Sequence, residues 1–183
     1  MIKSLYSIFQ RWSSNGSVWI VSDTHFDDDD REFMGYTIST QEHVEAIKRV
    51  VCKNDTLIHL GDVGNPDYFN TIKGYKVLIM GNHDQSVKRF EPYFDEIYAG
   101  PLFVGEKILL SHEPINLGDI AINLHGHDHN PGNKYTSNSM NFAANVIGYK
   151  PISLGAIIKN GILSHIDGIH RLTIDKATEE RNN

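Results

Sequence analysis

The 183-residue chain is short of cysteine, of long apolar runs and of positive charge. Its one cysteine, Cys52, cannot close an internal disulfide, so the core must be held by packing, as in proteins of a reducing cytoplasm. The same shortage excludes a thiolate-rich zinc site. No apolar run approaches the ~18 residues that a membrane helix needs. Met1–Trp12 mixes Lys3, Gln10 and Arg11 among its apolar residues, with no small-residue cleavage site after it. No membrane span is therefore expected, and a cytoplasmic location is. Seventeen Lys plus Arg against 23 Asp plus Glu leave a net charge of −6, the wrong sign for a protein that holds long nucleic acid by neutralising phosphates. The rest of the composition is that of one ordinary globular domain, expected over 1–183, except for histidine: 10 residues, more than the 8 Phe or 8 Tyr.

Short β-branched runs mark the first half. Ser17–Ser22 stops at Asp23, Thr56–Leu60 stops at Gly61-Asp62, and Val77–Met80 stops at Gly81-Asn82-His83-Asp84. Between the first two, Ser39 with Glu42 three residues later is a capping box, and Val44, Ile47 and Val51 follow at helical spacing, which predicts a strand–helix–strand crossover between parallel strands. The second half predicts strands at Lys107–Leu110, Ile122–His125 and Met140–Ala144, spaced closely enough to suggest hairpins in a second sheet. Ser153–Lys159 reads as a short helix, and the tail from Lys176 as frayed.

Each early strand ends in residues that can bind a metal. Five such blocks follow one another: Asp23-Thr24-His25, Gly61-Asp62, Gly81-Asn82-His83-Asp84, Ser111-His112 and Gly126-His127-Asp128-His129. In an extended chain i and i+2 share a face, so Asp23 with His25, and His127 with His129, are expected to reach one point as pairs. Ligands in parallel α/β sheets gather outside the carboxyl ends of the strands, where the first three blocks fall. Carboxylate, amide and imidazole donors without sulfur suit Mn, Fe, Zn or Ni. Seven protein donors are too many for one ion, and two ions ~3.5–4 Å apart, bridged by a carboxylate, form the clamp used in phosphatases and nucleases. The glycines before Asp62, Asn82 and His127 fit places where backbone approaches the site closely.

The ordered set D-x-H, G-D, G-N-H-[DE], lone His and G-H-x-H, from Asp23 to His129, resembles the calcineurin-like metallophosphoesterases. Asn145–Leu154 is similar to the closing strand of small bacterial and phage-type members. The resemblance implies a four-layer α/β/β/α sandwich of two facing mixed sheets with flanking helices. It implies that Asp23, His25 and His129 hold one divalent ion, that Asn82, His112 and His127 hold another, and that Asp62 bridges them. It casts His83 as the residue that contacts the phosphoryl oxygen or leaving group, with Asp84 orienting it and raising its pKa. The implied reaction is attack on phosphorus by a water of metal-lowered pKa, without a covalent phosphoenzyme.

The expected cofactor is a pair of divalent ions, manganese first among Mn, Fe, Zn and Ni, and the expected partner is a small phosphate ester. A homo-oligomer stays open. Arginines that could grip a dianionic monoester are few (Arg11, Arg31, Arg49, Arg89, Arg171 and Arg181), which favours a phosphodiester. Val63-Gly64-Asn65 and Met80 stand where the protein Ser/Thr phosphatase branch has arginines, which weighs against that activity. The rival readings are a catalytically weak scaffold, as in the retromer member of that superfamily, and a nuclease. His125 shares the period of His127 and could also point inward. His59 reads as a packed core histidine, His43 as a helix-surface one, and Cys52 as a small core or boundary residue. His165 and His170 lie beyond the motifs. Asp27–Asp30 reads as a solvated loop, a third ion site or a substrate-repelling lip.

Overall fold

The computed structural model describes residues 11, 12 and 14–169; His170 and the tail from Lys176 lie outside them. Strands β1 (Val18–Val21), β2 (Thr56–His59), β3 (Tyr75–Ile79) and β4 (Glu96–Tyr98) run parallel, and the two-residue β9 (Ile152–Ser153) adds antiparallel to β1, giving the order β4-β3-β2-β1-β9. The second sheet has the order β5-β6-β7-β8, from Leu102–Val104, Ile108–Leu110, Ile122–His125 and Ser139–Asn141. The expected sandwich is present as two mixed sheets with flanking helices.

Side-chain alternation explains the layering. Val18 and Ile20 of β1, Ile58 of β2, and Val77 and Ile79 of β3 turn to one side. There they meet Ile108, Leu110, Ile122, Leu124 and Met140 of the second sheet in one buried core. Val21, Leu57 and Leu78 point the other way and pack under Val44 and Ile47 of helix α1 (Thr40–Lys48). The predicted capping box is formed, with the Glu42 amide donating to Ser39 Oγ and the Ser39 amide to Glu42 Oε2. On the outer face of the second sheet, the Ile115 amide donates to the buried Asn123 side chain.

Several expectations change. In the second sheet only β5 and β6 form an antiparallel pair; β6, β7 and β8 are parallel, so the loops between them are crossovers rather than hairpins. The strand expected at Met140–Ala144 ends at Asn141, because Ala143 caps a short helix, α2 (Ala144–Ile147), that Gly148 terminates in the left-handed region. Of the closing strand expected within Asn145–Leu154, only β9 is extended, and helix α3 (Leu154–Lys159) follows with Ser153 capping it. Cys52 is exposed. Among the described residues no helix is long and apolar enough to cross a membrane.

His43 is buried rather than on the helix surface, edge-on to the rings of Phe26 and Tyr149, with neither ring nitrogen hydrogen-bonded. His59 is the buried core histidine expected: its Nδ1 accepts from the Gly61 amide and its Nε2 meets Thr24 Oγ1. Burial pulls the pKa of each down to about 3. Both are neutral in the folded chain but take up a proton near pH 6.5 when unfolded, so their contribution is complete above that pH and is lost as pH falls towards 3. Between pH 8 and pH 5 each is expected to cost about 2 kcal/mol of stability. Urea unfolding of the metal-free protein at both pH values should show His43→Leu losing about 2 kcal/mol less than wild type; an equal loss would contradict this account.

Candidate metal centre

All five blocks sit just past the carboxyl ends of parallel strands, three on the first sheet and two on the second. The sheets meet there: the Ser22 amide donates to Phe142 O, and the Ala144 amide to Ser22 O. The loops interlock through backbone, with the Asp23 amide donating to Gly61 O at 2.9 Å and the His25 amide to Asp62 O at 3.1 Å. Gly126 is required by this closeness, since a Cβ on it would lie 2.1 Å from Asp23 Oδ2 and 2.0 Å from Ser22 Oγ.

Two donor groups result, Asp23-His25-His129 and Asp62-His112-His127, each with its donor atoms within 4.8 Å of one another. Asn82 joins the second, its Oδ1 lying 2.8 Å from His112 Nε2 and 3.1 Å from His127 Nδ1. Asp62 stands between the groups, with Oδ2 3.2 Å from His112 Nε2 and 3.7 Å from His25 Nε2. The convergence does not come from strand alternation as expected. Asp23, His25, Asp62 and His127 all have positive φ (53, 41, 57 and 68°), and the two histidines of Gly126-His127-Asp128-His129 divide between the groups instead of sharing a point. Such backbone costs about 1–3 kcal/mol per residue and persists only where surrounding contacts hold it, here the interlocked amides.

The ring nitrogens fit cation binding. His25 Nδ1 bonds Asp28 Oδ2 at 2.7 Å, His112 Nδ1 donates to Leu60 O at 2.9 Å, and His129 Nδ1 donates to Asn145 Oδ1 at 3.1 Å. Each bond leaves Nε2 facing the carboxylates, where a bound ion would take its lone pair. His25 Nε2 is buried without a hydrogen-bond partner, and it lies 3.9 Å from Asp23 Oδ1 and 3.7 Å from Asp62 Oδ2. An orphaned imidazole nitrogen between two buried carboxylates fits a metal ligand, whose lone pair an ion would satisfy. Burial alone would pull His112 down and push Asp62 up. Their mutual hydrogen bond and charges outweigh it, holding His112 at about 9 and Asp62 at about 2, so without an ion a protonated His112 supplies the positive charge.

His83 is exposed, edge-on to His25 with ring centroids 5.4 Å apart, and its backbone amide donates to Asp62 Oδ1. Asp84 does not orient it. The buried Asp84 carboxylate accepts from the amides of Asp62, Val63 and Gly81, and so ties the second loop to the third. An Asp one residue past a turn faces the free amides of that turn more readily than its neighbour's ring. His125 belongs to neither group; its Nδ1 donates to Gly126 O.

Four supporting residues escaped the sequence reading. Asn145 grips His129 twice, through Nδ1 and through its carbonyl oxygen. Tyr36 donates its hydroxyl to Asp23 O, while Arg31, stacked on Tyr36, donates to the carbonyls of Thr24 and His25. The fourth is Asp28. The aspartate tract is not uniform: Asp27 is held by Asn65 and Tyr68, Asp28 by His25, and Asp29 and Asp30 are exposed. Asp28→Ala is expected to weaken binding at the first group about 10–100-fold, read by Mn²⁺ titration, with Asp29→Ala as the unaffected control. Equal affinity in both variants would show that Asp28 does not set the His25 ring.

The chain is similar to several known proteins. An uncharacterized protein of Methanocaldococcus jannaschii is 27% identical over 171 residues, covering 78% of this chain and 89% of that protein. The crystal structure of a protein of unknown function from Aquifex aeolicus shares the fold at a TM-score of 0.66, with 24% identity over 78% of this chain and 98% of that one. The nuclease MPE of Pseudomonas putida superposes at a TM-score of 0.45, with 24% identity over 60% of each chain. The profile of the calcineurin-like phosphoesterase superfamily domain matches residues 17–145, which hold all five blocks and both donor groups. The chain belongs to the calcineurin-like phosphoesterase superfamily.

Proposed function

We propose that the protein is a metal-dependent hydrolase of small phosphodiesters. The observation that carries this reading is the position of Asp62, whose Oδ2 lies between one imidazole of each donor group, as a carboxylate shared by two ions must. Asp23, His25 and His129 would hold one divalent ion, and Asn82, His112 and His127 the other; manganese is our first choice among Mn, Fe, Zn and Ni, which accept imidazole, carboxylate and amide oxygen donors. When bound, the pair supplies Lewis acidity and lowers the pKa of a coordinated water.

The remaining work falls to the chain. Interlocked backbone fixes the donors before substrate arrives, so little reorganisation is left to the reaction. His83, exposed beside His25 and free of Asp84, can donate a proton to the leaving oxygen or a hydrogen bond to the phosphoryl oxygen. The diester preference rests on charge: Asp28, Asp29 and Asp30 line the approach to His83 with Arg89 as its one arginine, a poor setting for a dianionic monoester. Long nucleic acid is disfavoured for the same reason, and the single cysteine and lack of apolar spans suit a cytoplasmic location.

Chelator-treated protein restored with Mn²⁺ is expected to hydrolyse bis-p-nitrophenyl phosphate faster than p-nitrophenyl phosphate. Bound metal without turnover of either ester would favour a scaffold, and strong cleavage of oligonucleotides a nuclease.

A further inference from the structure

Two clefts are lined by consecutive residues of the 82–83 turn. Asn82 and His112 line one of about 260 Å³, together with Met80, Pro101, Ile115 and Glu113. His83 lines the other, of about 350 Å³, with Asp28, Asp29, Asp30, Gln85 and Arg89. A phosphorus atom seated between the donor groups has two ester oxygens to place, and each cleft borders one group: the first through Asn82 and His112, the second through Asp28, which holds His25. Both volumes lie near or below the lower end of the ~300–1,000 Å³ typical of sites for drug-sized ligands, so each suits one small alcohol.

The charge of the clefts decides what those alcohols carry. Among the described residues no lysine or arginine lines the first cleft; Glu113 is its carboxylate, and His112 belongs to the second donor group. In the second, Arg89 already donates to Gly64 O at 3.0 Å and lies over the Phe90 ring, while Asp29 and Asp30 stand exposed. A second phosphate on either arm would thus meet more carboxylate than cation, one glutamate in the first cleft and three aspartates against one arginine in the second, whereas a neutral or amine-bearing arm would not be opposed. We propose that the two clefts select phosphodiesters bearing a single phosphate and two uncharged or cationic arms, with Glu113, Asp29 and Asp30 as the residues that exclude further phosphates. This rests on the phosphoesterase reading above and narrows it.

The test compares the p-nitrophenyl ester of thymidine 5′-phosphate with its 3′-phosphorylated counterpart on the Mn²⁺-loaded protein. The kcat/KM of the second is expected to be at least tenfold lower, and Glu113→Gln or the double change Asp29→Asn with Asp30→Asn should narrow the gap at least threefold, depending on which cleft takes the nucleoside. Calorimetry should likewise show thymidine 3′,5′-bisphosphate binding more weakly than thymidine 5′-phosphate. Equal or tighter binding of the bisphosphate, or a gap that neither variant narrows, overturns the charge filter. A lack of Mn²⁺-dependent hydrolysis of bis-p-nitrophenyl phosphate overturns the phosphoesterase reading alone, because the calorimetric comparison still decides the filter.

Discussion

Asp62→Asn is expected to lower Mn²⁺ affinity at least ~100-fold and to remove most metal-dependent hydrolysis, the largest effect of any single change in the centre. Asparagine is the informative replacement because it keeps the shape and tolerates the left-handed backbone that Asp62 occupies at φ 57°, so the loop need not move. What is lost is the negative charge between His25 and His112. Two dications close together repel strongly, and a shared anion is the main local offset. A neutral amide can bond one ion but cannot balance two. A second readout separates this from simple unfolding: Mn²⁺ should raise the melting temperature of wild type by mass action and raise that of Asp62→Asn far less. If the variant binds two ions with wild-type affinity, Asp62 is not the bridge.

The ligand blocks were legible because each pairs a strand-ending β-branched run with residues of one chemistry, and local sequence carries both signals. Val18–Val21 followed by Asp23 and His25, or Ile122–His125 followed by His127, announces a strand whose end faces a site. How those side chains converge was not legible. The i, i+2 rule assumes extended backbone, but Asp23, His25 and His127 turn through positive φ, which non-glycine residues adopt only when contacts distant in sequence impose it. The contact that seats Asp23 illustrates this: its carboxylate accepts from the His127 amide, 104 residues away.

Supporting residues were hidden for a related reason. Asn145 reads as the start of a closing strand until the fold brings it 16 residues back onto His129, and Asp28 is lost in a run of four aspartates whose members have three different fates. His43 was misplaced because polarity was allowed to decide its face; its position one residue before Val44 puts it at the edge of the buried stripe, where Phe26 and Tyr149 close over it. The second sheet's parallel order was missed because short loops suggested hairpins, although 3₁₀ turns at Gly118–Ile120 and Pro131–Asn133 shorten both crossovers.

His83→Ala is expected to lower kcat by about 10²–10⁴-fold while leaving both ions bound, a separation that distinguishes proton transfer from metal binding. The geometry permits that separation. The contact that His83 makes with the Asp62 carboxylate runs through its backbone amide to Oδ1, and alanine keeps it. The neighbouring Asp84 ties the loops through backbone amides alone and does not touch the ring, so removing the imidazole leaves that brace intact. The lost ring is exposed at the mouth of the site, so no cavity opens in the core. Metal content and melting temperature should therefore match wild type. The loss should be smaller for esters with good leaving groups, such as p-nitrophenolate, than for alkyl alcohols, because a weakly basic leaving oxygen has less need of a proton. A variant that loses metal would make His83 a ligand, and equal losses on both classes of ester would assign it to holding the phosphoryl oxygen instead of protonating the leaving group.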